Sequence, residues 1–266
     1  MLIWSILKQL FAQMVKIMNE NKEKEILEFL QLKQFSTVEQ IAESLYLSTS
    51  TVRRKLNVLQ EQGLITRTHG GAKVNDSNIT LPGFTFRFHQ NIKEKRAIAN
   101  VASSLVKEGD VVFLDGSTSA FYVATFLKSF KNIKIITNGI DTLSELSKTN
   151  LKVYSTGGAI SQTNNSVLVG YQGESIVDEF NADVVFFSVA SITPNGNLYD
   201  CFEEEIPMRK AMLKNSKKKV LLLDNTKFDA PATYSLCHLN DVDVLITDGE
   251  IEGFFKEKPN VEIIKV

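Results

Sequence analysis

The chain has 266 residues, of which 43% are hydrophobic and 23% are charged, and its formal net charge is −1. This length exceeds a single typical core and the composition excludes disordered and fibrous classes, so we expect two globular domains. Only Cys201 and Cys237 occur, without the paired spacing of a metal site or a disulfide framework. We therefore expect a protein of the reducing cytoplasm that holds no metal or other cofactor.

Residues 1–20 are predicted to form an N-terminal extension. Its apolar positions recur at helical spacing, at Ile3, Leu7, Leu10, Met14 and Ile17. This pattern is typical of an amphipathic helix that packs on this protein or its partner. Lysines and glutamines interrupt the segment, so it lacks the run of about 18 apolar residues that a membrane span needs. Two alternatives stay open: translation that starts at Met18, and contact with a membrane surface.

Residues 21–75 are predicted to form a small helical domain. The first helix has an apolar stripe at Ile26, Leu27 and Leu30. Ser36 and Glu39 have the spacing of a capping box, which predicts that a second helix begins at Ser36. Ser48 is predicted to cap a third helix that runs to Gly63. The following segment, LITRTHGGAKV, alternates and turns at a glycine pair, which predicts a β-hairpin wing.

The third helix carries groove-reading residue types. Its apolar residues share one face, so at about 100° per residue the basic and polar residues fall on the opposite face. Arginine can donate two hydrogen bonds to guanine, asparagine can pair with adenine, and a helix of this width fits the major groove of double-stranded DNA. Residues 48–75 hold five basic residues against one acidic residue. The predicted DNA contacts are Ser48, Thr49, Ser50, Thr51, Arg53, Arg54, Lys55, Asn57, Arg67, His69 and Lys73, with Lys55 expected to meet phosphate from the flank of the helix.

Taken singly, these features also fit a small bundle with a solvated basic face, but their combination favours DNA binding. The segment TVEQIAESLYLSTSTVRRKLNVLQEQGLITRTHGGA resembles the N-terminal domain of the DeoR family of bacterial sugar-metabolism repressors. That family commonly has Arg-Arg-Asp-Leu in its recognition helix, whereas this chain has Arg53-Arg54-Lys55-Leu56. The exchange of an acid for a base would alter operator preference.

Residues 76–92 lack clear periodicity and are predicted to be a linker, followed by a second domain over residues 93–266. Six apolar runs alternate with helical stretches in that domain, at 111–115, 133–137, 151–155, 184–189, 220–224 and 243–247. Continuous apolar runs are typical of parallel strands that are buried on both faces. The predicted fold class is therefore α/β: a winged helix-turn-helix followed by a mostly parallel sheet.

Small residues follow several of these strands, where open α/β sheets bind ligands. Residues 115–119 precede a helix whose N-terminus would attract an anion, and Lys227 would neutralise a phosphate. Glycines after the next strands would let the backbone approach a ligand closely, although such glycines are also typical of tight turns. The candidate effector-binding residues are Asp115, Gly116, Ser117, Thr118, Ser119, Asn138, Gly139, Gly157, Gly158 and Lys227. For Glu203-Glu204-Glu205 we expect a solvated helix start, with one carboxylate free to reach the site.

The order LDGSTSAFYVA, IITNGI, STGGAI, GNLYDCFEEE and LLLDNTKFD resembles the sensor domain of the same family, so the resemblance covers about residues 21–248. It implies a fold similar to ribose-5-phosphate isomerase and CoA-transferase-like domains, and release from DNA by a phosphorylated sugar. It also maps residues 116–119 onto the family's phosphate loop, Asn138-Gly139 onto its Thr-Asn-Gly step, Gly157-Gly158 onto its glycine pair and Lys227 onto its Lys-Phe step.

Two hypotheses about function remain. The first is a metabolite-gated repressor, and the alternative is an enzyme similar to sugar-phosphate isomerases or transferases with an appended helical domain. Ser188-Val189-Ala190-Ser191 stand where the isomerase relatives have carboxylates, so this segment offers no acid to move a proton, which favours sensing over catalysis. An activator or a dual regulator stays open as well, because the residues do not give the sign of the coupling and repression is implied by the resemblance alone. Because one recognition helix reads only a few base pairs, we also expect a homo-oligomer.

Overall fold

The computed structural model describes residues 22–30, 35–68, 70–74 and 84–266, apart from residues 24 and 28. The chain divides into two compact units, one up to Gly83 and one from Phe84 to Val266. The predicted extension at residues 1–20 and the first part of the predicted linker lie outside the described residues. The remainder of that linker is not a loop, because a helix covers Phe84–His89 and the next begins at Ile92. Asn91, with a left-handed φ of 50°, separates the two helices and is the N-cap residue of the second.

The first unit is a winged helix-turn-helix. Its elements are a helix α1 within residues 22–30, β1 (Phe35–Thr37), α2 (Val38–Ser44), α3 (Thr49–Glu61), β2 (Ile65–Thr68) and β3 (Gly71–Val74). The wing is a three-stranded antiparallel sheet in the order β1-β3-β2. Apolar side chains from α1, α2 and α3 are fully buried between the helices, among them Ile26, Leu30, Ile41 and Leu56. This core confirms the predicted apolar faces.

The predicted start of α2 is wrong by one residue at the cap. Ser36 pairs with Ala72 in the wing sheet, so it is not available as a cap. Thr37 caps the helix instead, and its side chain and that of Gln40 form the reciprocal capping box. The N-cap of α3 is Ser48, as predicted, but the helix ends at Glu61 rather than at Gly63.

The wing is hydrogen-bonded to the start of α2. Thr37 caps α2 and also pairs with Gly71 of β3, and the amide of Val38 donates to the carbonyl of Gly70 at 2.9 Å. A Cβ at Gly71 would lie 2.4 Å from the carbonyl oxygen of Ser36, so only glycine allows β1 and β3 to approach so closely. The wing turn and the start of α2 are therefore one hydrogen-bonded assembly.

The second unit is built on a parallel seven-stranded sheet in the order β15-β14-β12-β9-β4-β5-β6. Its strands are β4 (Val111–Leu114), β5 (Lys134–Thr137), β6 (Lys152–Ser155), β9 (Ala182–Phe187), β12 (Ser216–Leu223), β14 (Val244–Thr247) and β15 (Glu262–Lys265). The first six confirm the predicted strands. The edge strand β15 was not predicted, because its two apolar residues are only partly buried and are flanked by charged residues.

Alternate residues of each central strand point to opposite sides of the sheet, and helices cover both. Val112 and Leu114 face α5 (Ile92–Ser103) and α6 (Thr118–Leu127), whereas Phe113 faces the side of α8 (Tyr171–Val177) and α9 (Ile206–Lys214). The short helix α4 (Phe84–His89) packs on α6, and α7 is Ile140–Leu146.

Two small sheets flank the large one. An antiparallel sheet contains β10 (Ser191–Ile192), β11 (Asn197–Asp200) and β13 (Tyr234–His238), and a two-stranded arm contains β7 (Ala159–Ile160) and β8 (Leu168–Val169). Within the described ranges, every helix is too short or too polar to cross a bilayer.

Candidate DNA-reading face and effector site

The outward face of α3 is the first candidate site. Val52, Leu56 and Leu59 are fully buried, which turns the opposite face of the helix to solvent. Most of the predicted DNA contacts on this helix are exposed on that face: Ser48, Thr49, Ser50, Arg53, Arg54 and Asn57. Thr51 is half-buried. The Ser48 hydroxyl accepts from the amide of Thr51 at 3.2 Å, which fixes the N-terminal turn. The helix thus presents hydroxyl, guanidinium and amide groups in one stripe.

Lys55 does not belong to that face, so the prediction that it meets phosphate is wrong. Its side chain is only 6% exposed, and its Nζ lies 2.7 Å from Oε1 of Glu23 in α1. An ammonium so far from water is retained because a carboxylate neutralises it. Lys55 therefore joins α3 to α1, as a structural residue of the domain core.

The wing residues divide into two groups. Lys73 is exposed on β3, whereas His69 lies outside the described residues. Arg67 turns back to α3 instead of outward: its Nη1 donates to Oδ1 of Asn57 at 2.6 Å and approaches the carbonyl oxygen of Arg53 at 3.5 Å. Of the described wing residues that were predicted to contact the DNA backbone, Lys73 is therefore free to do so, whereas Arg67 is bound to α3.

The carboxyl edge of the large sheet is the second candidate site. The residues after β4, β5 and β9 meet there because these strands are parallel neighbours. Asp115 is buried, and its carboxylate accepts from the amides of Ser117 and Ser188 at 3.0 and 3.2 Å. Its Oδ2 also accepts from Nε of Arg209 at 2.9 Å. Asp115 was predicted to bind an effector, but its lone pairs and its negative charge are committed to the protein, so we correct it to a structural role.

Arg209 is the centre of a buried ion network. Besides Asp115, it donates to Asp200 and Glu205, each at 2.7 Å, and all four side chains are at most 7% exposed. Burial alone would lower the pKa of Arg209, but the three carboxylates outweigh burial and raise its pKa well above the usual value. Glu205 also accepts from Asn164 at 2.7 Å, which ties the arm to this network. The network therefore locks β4, β11, α9 and the arm together.

The predicted glycines approach the arm rather than open space for a ligand. A Cβ at Gly116 would lie 2.1 Å from Cγ1 of Val167, and one at Gly139 would lie 3.2 Å from Cα of Gly116. Gly158 has a φ of +100°, and a Cβ there would lie 2.4 Å from the carbonyl oxygen of Val169. Packing therefore explains Gly116 and Gly158, which is the tight-turn alternative that the sequence left open. A Cβ at Gly157 would meet only Cδ1 of Ile176, at 3.6 Å, so there it is the φ of +66° that favours glycine.

The N-terminus of α6 keeps the features of an anion site. Ser117 caps the helix by accepting from the amide of Ala120, and Thr118 and Ser119 in the first turn are buried. Beside them, Asn138 is 3% exposed and its Nδ2 donates to the carbonyl of Leu168 at 3.0 Å. Its Oδ1 is buried and has no hydrogen-bond partner among the described residues. An acceptor without a donor at the edge of the sheet is a place where a ligand hydroxyl or a water would bind.

Lys227 provides a positive charge at the same edge. It is half-buried after β12, and within the part of the chain that the structure describes it makes no ion pair. Burial lowers its pKa, although the charge of Asp224 acts in the opposite direction. Burial also lowers the pKa of Lys95 to about 8, and its Nζ donates to the carbonyl of Gln90 at 2.9 Å. The buried ammonium of Lys95 and the half-buried ammonium of Lys227 therefore both interact with the charge of Asp224.

Sequence reasoning missed several charged residues here. Arg209 was not singled out, and Glu205 was assigned to a solvated cluster, although only Glu203 and Glu204 are exposed. The i, i+4 spacing of Glu205 and Arg209 was the available signal, but such pairs usually lie on exposed helix faces. Lys95 gave no signal, because its partners are backbone carbonyls.

Two family models match this chain. A DeoR-like helix-turn-helix domain matches residues 22–78, and a DeoR C terminal sensor domain matches residues 90–249. The chain belongs to the DeoR family. The predicted family and the predicted fold class are thereby confirmed, and a helix-turn-helix that binds DNA is combined with a domain that senses a small molecule.

Two relatives extend over most of this DeoR-family chain. The HTH-type transcriptional regulator GolR of Listeria innocua is 35% identical over 84% of this chain and 87% of the relative. The transcriptional repressor AccR of Agrobacterium fabrum is 34% identical, over 86% of this chain and 89% of the relative. The chain is therefore a DNA-binding transcription regulator, as predicted, and not the enzyme that was the alternative.

One solved structure that is similar to part of this chain is ribose 5-phosphate isomerase A from Methanocaldococcus jannaschii. It is 16% identical, with a TM-score of 0.40 over 52% of this chain and 55% of the isomerase. This similarity is too low to bear on function.

Proposed function

We propose that this DeoR-family regulator represses a sugar-metabolism operon by placing α3 in the major groove of its operator, and that a phosphorylated sugar releases it. The observation that carries the proposal is the division of α3: one face is fully buried and the other exposes Ser50, Arg53, Arg54 and Asn57. These side chains match the hydrogen-bonding edges of base pairs.

Electrostatics support contact with phosphates. Arg53 is 60% exposed and only 3.7 Å from Glu39, which is 65% exposed, so this solvated pair is weak and a DNA phosphate can replace it. Lys73 on the wing supplies another exposed cation. Contacts of this kind displace counterions, so operator affinity should fall steeply with salt concentration.

The effector proposal rests on the carboxyl edge of the sheet. The N-terminus of α6, the buried Oδ1 of Asn138 and the ammonium of Lys227, which has no ion pair among the described residues, together suit a ligand that carries both an anion and a hydroxyl. A phosphorylated sugar has both groups. Arg209 is not available to it, because three carboxylates already saturate its guanidinium.

We further propose that the regulator acts in the cytoplasm as a symmetric homo-oligomer. Thirteen residues of α3 reach only a few base pairs, so two copies that read paired half-sites would provide the specificity that an operator requires. Sedimentation of the protein bound to operator DNA tests this point, and a monomer on a full-length operator would contradict it.

The deciding experiment is an effector titration into the preformed protein–DNA complex, followed by fluorescence anisotropy. A panel of sugar phosphates is first screened by thermal shift, since a ligand that binds only the folded state raises the melting temperature. Lys227→Ala and Thr118→Asp should bind operator normally but fail to release it, because one removes the cation and the other adds a repelling carboxylate. Lys214→Ala removes an exposed ammonium, 73% accessible, and serves as the matched control. Release of all four proteins at the same concentration would place the effector elsewhere.

A further inference from the structure

The contact between the wing and the recognition helix carries an inference about which base the protein reads. Nη1 of Arg67 lies 2.6 Å from Oδ1 of Asn57. We infer that Arg67 is a positioning residue that turns the amide of Asn57 so that it reads guanine, and not the adenine that asparagine usually selects. The inference rests on the proposed function in one respect, namely that α3 enters the major groove.

The orientation of the Asn57 amide follows from the chemistry of its partner. A guanidinium has only donors, so the amide atom that faces Arg67 must be the oxygen. A hydrogen bond from a charged donor at this distance is among the stronger kinds in proteins. The Asn57 side chain is exposed, and no acceptor for its Nδ2 is found among the described residues. The group left for DNA is therefore the NH2, with two donors.

This orientation changes which base edge fits. Asparagine pairs with adenine by accepting from N6 and donating to N7, which requires its oxygen and nitrogen to face the base together. Guanine offers two acceptors, N7 and O6, on its major-groove edge, whereas cytosine offers a donor. An amide that presents only donors matches guanine, and it leaves the N6 donor of adenine without a partner.

The fold holds Arg67 in place. Arg67 lies in β2, where it pairs with Ala72, and β3 is in turn paired with β1. Its Nη1 also approaches the carbonyl oxygen of Arg53, one turn before Asn57 on α3. The three-stranded sheet therefore fixes the backbone of Arg67, and two acceptors on α3 hold its guanidinium.

The test is selection of binding sites from a randomised operator library by the full-length protein and its variants. Asn57→Ala identifies the position that Asn57 reads, as the one position whose preference disappears. Wild type should select guanine there, by about tenfold over adenine. Arg67→Met, which removes every donor, should shift the preference at that position to adenine and leave the other positions unchanged. Arg67→Lys keeps a donor for Oδ1 and should restore guanine. Arg54→Ala is the control, because it should alter a different position.

The outcomes separate this inference from the proposed function. If wild type selects adenine at the Asn57 position, or if Arg67→Met leaves the preference for guanine intact while its thermal unfolding is unchanged, the inference is overturned. It is also overturned if Asn57→Ala erases no preference although wild type selects a defined sequence. If wild type selects no sequence at all, the proposed function fails as well.

Discussion

Replacing Arg209 by methionine should destabilise the sensor unit severely. Methionine has a similar length and is apolar, so it fills the space of the arginine stem but leaves Asp115, Asp200 and Glu205 without their shared cation. The three carboxylate side chains are 1%, 3% and 3% exposed, so water cannot replace the guanidinium. The structure therefore predicts uncompensated buried charge and not merely a lost contact.

The size of the effect follows from the geometry. Removing one partner of a buried pair typically costs about 3–5 kcal/mol, and Arg209 is the common partner of three. We expect a loss of at least about 4 kcal/mol at pH 7, a large share of the stability of an ordinary domain. The loss should be smaller at pH 5, because burial raises the pKa of Glu205 even beside Arg209, and without that guanidinium Glu205 takes up a proton still more readily, which removes its charge.

Urea unfolding followed by far-UV circular dichroism at pH 7 and pH 5 measures both effects on the full chain. Arg53→Met is the matched control, since Arg53 is 60% exposed and its ion pair at 3.7 Å should be worth less than about 1 kcal/mol. The reasoning is refuted if the free energy of unfolding of Arg209→Met lies within about 1 kcal/mol of the wild-type value, because substitutions on the surface cause changes nearly that large. It is also refuted if the difference in free energy of unfolding between wild type and Arg209→Met is not smaller at pH 5 than at pH 7.

Three further changes test other parts of the molecule. Burial lowers the pKa of Lys95 from 10.5 to about 8, so between these pH values the unfolded chain binds more protons than the folded one. The free energy of unfolding of wild type, relative to that of Lys95→Met, should therefore rise by about 3 kcal/mol from pH 8 to pH 10.5. A difference between the two proteins that stays constant with pH would contradict this. Gly116→Ala should cost about 1–3 kcal/mol, because its Cβ would meet Val167 at 2.1 Å, and adding Val167→Ala should recover much of the loss in a double-mutant cycle. Lys55→Met should destabilise the DNA-binding unit, because it leaves Glu23 without its cation, and combining it with Glu23→Leu should restore stability. The salt dependence of operator binding should be the same for wild type and the double variant. If the slope of log affinity against log salt concentration became shallower by about one, Lys55 would contact a phosphate instead.

Much of the architecture could be predicted because hydrophobic periodicity reports burial. Runs such as VVFL in β4 are buried on both faces, and a short apolar run of this kind is typical of a central parallel strand. Short strands escaped prediction where pairing, rather than side-chain pattern, defines them. β1 has three residues and depends on its long-range register with β3, which no local pattern encodes. The same register moved the cap of α2 from Ser36 to Thr37.

The candidate sites were predictable in residue type but not in orientation. Sequence placed Arg53, Arg54 and Asn57 on the open face of α3, because the buried stripe fixes the opposite side. It placed Lys55 there too, since an apolar stripe does not reveal a carboxylate on another helix. Asp115 and Arg209 are 94 positions apart, and their contact exists only once the sheet is assembled.

The hydrogen bonds that join the wing turn to the start of α2 have a consequence for induction. These hydrogen bonds make local unfolding of the DNA-binding domain costly, so we do not expect the effector to act by unfolding it. In the proposed homo-oligomer, the effector can instead change the distance and the rotational phase between the two DNA-binding domains on the double helix. Inserting about 5 base pairs between half-sites would place the second DNA-binding domain on the wrong side of the duplex, whereas about 10 would return it to the same side. Affinities for such operators, measured with and without the effector, would report how the effector changes the spacing of the two DNA-binding domains.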